Sequence, residues 1–179
     1  MSTGKSLRYG VLLLLAVLGG GACTSKREAG AMEQASTSIA CSLSVPGEVR
    51  AGEPLMLRFQ LTNRTAQPLY VLDWHTPLEG LLAHMLRVRH AGQELAYRGP
   101  LVKRGDPEAS DYRALAPGAS VEEEIDVSLA YDTDAPGRYL IAFRGPLMDV
   151  ATSEAEVPRP LAQHQAMKLL CNEVETERL

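Results

Sequence analysis

Few residues in this sequence have types able to do chemistry, and they are scattered. The four histidines are His75, His84, His90 and His164, and none has a second histidine three or four residues away. A metallohydrolase needs ligands at a set spacing, as in His-Glu-x-x-His, which places both imidazoles on one helix face. No such pair occurs, and there is no Gly-x-Ser-x-Gly elbow and no phosphate-binding glycine loop ending in Lys-Ser/Thr. Acidic residues do cluster. Glu122 and Glu124 fall on the solvent side of an alternating segment, as an ordinary charged face does. Asp132 and Asp134 flank a turn, where Asp commonly bonds its own backbone; calcium is the alternative there, without ligand spacing to support it. The expectation is a chain with no catalytic residue, no metal and no cofactor, and so not an enzyme.

The three cysteines fit an exported protein. Lys5 and Arg8 precede a short apolar run over residues 9–18, and Gly19-Gly20-Gly21-Ala22 supplies small residues before Cys23. That run is about half the roughly 20 residues a membrane-spanning helix needs. A cysteine after such a leader resembles the bacterial lipoprotein site, where the thiol is lipidated and residues 1–22 are removed. Gly20 stands where Leu is usual, which keeps plain secretion with cleavage after Ala22 as the alternative. Residues 23–38 have no sustained apolar period and read as a flexible tether. Cys41 and Cys171 then remain as an even pair. In an oxidising envelope they form either a disulfide or two buried thiols, and the disulfide is the expectation.

Residues 39–179 make up the folded domain. Hydrophobic residues are 45% of the sequence and charged residues 22%, enough for a core. The net charge of −4, with no Lys/Arg-rich run, argues against nucleic acid. Short apolar stretches are broken by Pro, Gly, Asn and Asp throughout, which favours strands over a helical bundle. Residues 55–61 put Leu55, Leu57, Phe59 and Leu61 on one face. Residues 69–74 are nearly continuous in apolar character, and residues 85–90 lead through Ala91-Gly92 into a hairpin. Residues 121–129 place Val121, Ile125, Val127 and Leu129 on one side, and residues 139–143 form another buried strand. Residues 99–117 are polar and rich in proline, so they are expected to add little core and to form a mobile or functional loop. The tail is either a helix from Leu161 or a strand over residues 167–175, the strand being preferred. The pattern predicts an all-β, immunoglobulin-like antiparallel β-sandwich of about 7–9 strands behind the leader and tether.

One set of residues is more specific than composition. It runs from Pro68-Leu69-Tyr70-Val71-Leu72-Asp73-Trp74-His75-Thr76-Pro77-Leu78-Glu79-Gly80 through Tyr97-Arg98-Gly99-Pro100 and Val102-Lys103-Arg104-Gly105. Asp111-Tyr112, Leu115-Ala116-Pro117-Gly118, Tyr131-Asp132 and Pro136-Gly137-Arg138-Tyr139 follow. This order resembles the non-catalytic pro-domain of bacterial deuterolysin-like (aspzincin) metalloendopeptidases, including the peptidyl-Lys type, over residues 41–143. In those proteases a zinc domain with His-Glu-x-x-His follows, and this sequence holds no such motif. The resemblance therefore implies the pro-domain's role, inhibiting or chaperoning a secreted aspzincin-type metalloprotease, without catalysis.

For a protease that prefers lysine, Lys103 in Val102-Lys103-Arg104-Gly105 would be the natural bait; the alternative is a solvated basic tip. Trp74, Tyr131 and Tyr139 read as structural anchors, with a ligand platform as the other reading of Trp74. The expected setting is the cell envelope, membrane-anchored by lipid at Cys23. Thr24 in place of Asp points to the outer membrane in a two-membraned bacterium, and plain secretion is the alternative. A structural or adhesion-type envelope protein with no protease partner is the competing function.

Overall fold

The computed structural model describes residues 38–179; the leader, the tether before Ser38 and Cys23 lie outside the described residues. Strands follow in the order β1 (Ile39–Ser44), β2 (Glu48–Val49), β3 (Met56–Asn63), β4 (Leu69–Leu72), β5 (Leu86–His90) and β6 (Gln93–Glu94). After them come β7 (Tyr112–Leu115), β8 (Ser120–Asp126), β9 (Gly137–Phe143), β10 (Pro146–Leu147), β11 (Val150–Ala151), β12 (Met167–Lys168) and β13 (Val174–Arg178). Eight of these have four or more residues, and the other five are two-residue pairs, of which β6 is the return arm of the hairpin expected after Ala91-Gly92.

The chain forms the all-β sandwich that its strand pattern predicts. One sheet runs β1-β3-β8 and the other β2-β13-β9-β5-β6, with smaller sheets β11-β4-β7 and β10-β12 beside them. Pairing is antiparallel except between β13 and β2. The alternation in β3 sends Leu57, Phe59 and Leu61 inward, where they join Val88 of β5 and Tyr139 and Ile141 of β9. Phe59 and Phe143 meet with ring centroids 5.4 Å apart, joining the two sheets through the core. Burying such a side chain contributes on the order of 1.5–3 kcal/mol, so these inward rows dominate the stability.

Cys41 in β1 is disulfide-bonded to Cys171, with Cα atoms 4.7 Å apart. The next residue, Asn172, lies against the same strand: its side chain accepts from the Leu43 N–H (2.8 Å) and donates to the Leu43 carbonyl (2.9 Å). The irregular segment before β13 thus covers part of the outer edge of β1.

Three expectations change. Residues 99–117 are not all loop: a 3-10 turn (Ala109–Asp111) leads into β7, which pairs with β4 and buries Tyr112 and Leu115. Leu129 does not face the core. The strand ends at Asp126, whose carboxylate accepts the Ser128 N–H at 3.0 Å and starts a 3-10 turn (Val127–Leu129), leaving Leu129 78% exposed. The tail is neither one helix nor one strand over 167–175; it has a 3-10 turn (Leu161–Gln163), the short β12 and then β13 from Val174.

Candidate functional site

The site is built on the turn that follows β4. Thr76 is buried and closes the turn: its backbone N–H (3.1 Å) and its hydroxyl (2.6 Å) both donate to the Asp73 carbonyl. The Thr76 hydroxyl oxygen accepts the Leu78 N–H and so caps a 3-10 turn (Pro77–Glu79). His75 takes a left-handed backbone (φ 59), an unusual state for a non-glycine residue. Its N–H donates to the Glu79 carboxylate at 2.8 Å, which fixes that side chain below the turn. Asp73 is a carboxylate partner of Arg113 of β7 at 2.8 Å, not a side-chain cap of the turn.

Arg104 closes over this turn. Its guanidinium lies 5.0 Å from the centroid of the Trp74 ring and is ion-paired to Glu79. Arg104 is therefore turned back onto the domain. Lys103 beside it is exposed and has no hydrogen bond or ion pair among the described residues, and Leu101 (75%) and Val102 (41%) are exposed with it.

The flanks of this tip are fastened. Arg98 N–H donates to the Ala130 carbonyl (2.8 Å), and Val102 N–H donates to the Leu82 carbonyl (3.2 Å). The Tyr97 hydroxyl lies 2.9 and 2.7 Å from the Leu81 and Pro100 carbonyls, and its one proton is shared between them. Gly99 presses on that same ring: a Cβ there would stand 2.5 Å from the Tyr97 oxygen, so no other residue fits without a shift. Beyond the tip, Asp106 accepts the Leu161 N–H at 2.8 Å, and Pro107 is buried.

Burial sets the electrostatics. Desolvation pushes the Glu79 carboxyl above the usual carboxylate range, outweighing the His75 N–H and the Arg104 charge that favour its ionised form. Asp73 is raised for the same reason, against the pull of Arg113. Arg113, conversely, is held more firmly charged by its bond to Asp73. Asp73 is the more buried partner of that pair, so the cost of its desolvation governs the pair. Near them the Asp73 Oδ1, Trp74 Nε1 and His164 Nδ1 atoms are buried without a hydrogen-bond partner.

The remaining candidates are placed as follows. Trp74 is buried in a small cluster with Leu72 and Tyr112, apart from the main core, with the His164 ring at its edge (6.2 Å). Tyr131 donates to the Leu86 carbonyl and Tyr139 to the Ala135 carbonyl, each at 2.7 Å. Burial raises both phenols above their ordinary range. His84 stacks on Tyr97 and His90 on Tyr139. Asp132 pairs with Arg98 at 3.1 Å. Among the described residues no three His, Cys, Asp or Glu side chains gather as a metal ion requires. Among the same residues no helix is long and apolar enough to cross a membrane.

Sequence reasoning missed a second polar cluster beside the site. Asp149 is fully buried and accepts from the Tyr112 hydroxyl (2.8 Å), Arg159 (2.9 Å) and the Gln165 N–H (2.8 Å). Burial foremost, with the bond to Asp149, pushes the Tyr112 phenol up to about 12. Arg159 also pairs with Glu156, and its carbonyl meets His164 Nε2 at 3.1 Å. This network anchors the segment whose His164 ring meets Trp74 and whose Leu161 N–H donates to Asp106.

No family model matches the sequence. The chain is 33% identical over 91 residues to an "Extracellular protease" of Aeromonas hydrophila, a stretch that is 51% of this chain and 26% of that protein. It is 28% identical over 92 residues to a "Probable neutral protease 2 homolog" of Arthroderma benhamiae, 50% of this chain and 25% of that one. The chain thus spans about a quarter of the length of the curated relatives it matches. Among solved structures, a β-glucosidase from Listeria innocua aligns at TM-score 0.33 with 13% identity, over 78% of this chain and 16% of that one. The CARDB domain of the Pyrococcus furiosus protein PF1109 aligns at TM-score 0.31 with 10% identity, over 79% of this chain and 87% of that one. Likeness at this level carries no argument about fold or function.

Proposed function

We propose that this domain is an exported, non-catalytic binding module that restrains or chaperones a secreted metalloprotease of the aspzincin type, as a pro-domain does. The observation that carries the reading is the Leu101-Val102-Lys103 tip: exposed, unpaired at its lysine and fastened on both flanks. A segment already held in one shape loses little conformational entropy on entering a cleft. Lys103 is the bait for a protease whose primary pocket prefers lysine. The two relatives named as proteases support the association, since about half of this chain matches a quarter of each. In this reading the chain is exported to the cell envelope and held by lipid at Cys23, with secretion as the alternative.

The test is a titration of the leaderless protein against a purified peptidyl-Lys aspzincin endopeptidase, with hydrolysis of a short lysine peptide as readout. The expected result is stoichiometric inhibition, weakened at least tenfold by Lys103→Ala, the order of effect seen for a truncated interface anchor. Undiminished hydrolysis at saturating protein would remove the inhibitory reading. Inhibition unchanged by Lys103→Ala would remove the bait.

A further inference from the structure

We infer that Trp74 and Glu79 form a clamp on Arg104 that keeps the Lys103 segment resistant to the protease it attracts, so that Arg104 decides whether the loop acts as a bound bait or as a cut substrate. The consequence for inhibition rests on the proposed function; the resistance itself does not.

The tip holds two opposed requirements, exposure and resistance to cutting. An exposed lysine on an irregular loop is what a lysine-specific endopeptidase cuts most readily, because loop tips open locally at little cost. Here the residue on each side of Lys103 is tied to the body, Val102 by its backbone and Arg104 by its side chain. On the amino side the Val102 N–H donates to the Leu82 carbonyl at 3.2 Å. On the carboxyl side Arg104 is held over Trp74 at 5.0 Å and paired with Glu79. Glu79 is itself fixed by the His75 N–H at 2.8 Å, in the turn that the buried Thr76 closes. Arginine suits this position, since its planar fork can stack on an indole while it meets a carboxylate, which a lysine ammonium does not do as well.

Hydrolysis at either side of Lys103 adds one water across a peptide bond, leaving a carboxylate on Val102 or Lys103 and an amine on the residue that follows. With both flanks tied, the new ends stay beside each other, and release of the cut loop requires Arg104 to leave the clamp. Arg104 is thus a positioning residue for Lys103, although the sequence presents the two as one basic pair.

The experiment uses the leaderless protein and two lysine-specific endopeptidases, one cutting on the amino side and one on the carboxyl side of lysine, with fragments read by mass spectrometry. Lys168, exposed on β12, serves as the internal reference. Arg104→Gln is expected to speed cutting at Lys103 by roughly tenfold or more while leaving Lys168 unchanged, because cleavage tracks the population of the open loop. Glu79→Gln, which leaves the arginine and its stack in place, is expected to give a smaller acceleration with the same selectivity. Equal rates at Lys103 in all three proteins would overturn the clamp, as would equal acceleration at Lys103 and Lys168, which marks general loosening. If the wild-type protein resists cutting at Lys103 yet fails to inhibit an aspzincin protease, the proposed function falls and the clamp stands.

Discussion

Arg178 and Arg104 are both turned inward, but they hold different kinds of structure. Arg178, 2% exposed near the end of β13, donates to the carbonyls of Thr133 (2.8 Å), Arg50 (2.7 Å) and Glu53 (2.7 Å) and to the Thr133 hydroxyl (3.2 Å). It ties three backbone segments together with no carboxylate among those partners. Arg104 instead meets a ring and a half-buried acid, and what it holds is an exposed tip. Around Arg178 the carbonyls would be orphaned by its loss; around Arg104, Asp73 Oδ1 and Trp74 Nε1 are already without partners. The first region is a foundation, and its interactions should register in global stability. The second fixes the geometry of a loop and should register little there.

The comparison can be broken in four ways, in falling order of effect. Removing the Cys41–Cys171 bond by Cys→Ser at both positions frees a sequence separation of 130 residues. The chain-entropy model assigns such a closure about 5 kcal/mol, so urea unfolding should show most of that loss, with Cys23 left unchanged in sequence. Arg178→Ala leaves several buried acceptors without a donor and should cost about 2–4 kcal/mol in the same measurement. Arg104→Gln should cost less than about 1 kcal/mol, because the attraction of the guanidinium to the buried Trp74 ring and to Glu79 is nearly balanced by the cost of desolvating the pair. A loss for Arg104→Gln as large as that for Arg178→Ala would erase the distinction between the two regions.

The fourth concerns pH. Asp73 and Glu79 both hold their protons to higher pH in the folded chain than in the unfolded one, because burial disfavours their charged forms. Their contribution to stability is therefore fully present below the unfolded carboxylate values, about 4, and is lost as pH rises through the raised folded values. Wild type should gain stability relative to an Asp73→Asn/Glu79→Gln variant as pH falls from neutral towards 4, in urea midpoints compared at each pH. The opposite sign would show that Arg104 and Arg113 outweigh burial.

Much of the foundation was legible in the sequence and less of the site. The alternation over residues 55–61 and the run before Phe143 read correctly, because one face of each strand meets a single core. The strand β7 escaped because Tyr112 and Leu115, its buried residues, are three apart and so lie on opposite faces. Tyr112 packs into the Trp74 cluster and Leu115 into the main core, and no period-two pattern marks that. Leu129 misled in the reverse sense, since a capping Asp126 ended the strand before the apolar pattern did. Asp149 and Arg178 carry no local signal: each is buried because its partners arrive from distant segments. Asn63 combines the two, since its Oδ1 accepts the Thr65 N–H in a local turn while its amide nitrogen donates to the distant Leu115 carbonyl at 2.9 Å. The Val102-Lys103-Arg104-Gly105 stretch stood out as a unit, yet only the structure separates the exposed lysine from the clamped arginine.

The most direct test of the central claim is hydrogen exchange on the leaderless protein, alone and with a peptidyl-Lys aspzincin endopeptidase inactivated at its catalytic glutamate. The account predicts that added protection concentrates in residues 99–106 and fades with Lys103→Ala, while the strands around Cys41 and Arg178 exchange as before. No added protection, or protection centred on another surface with residues 99–106 unaffected, would contradict it.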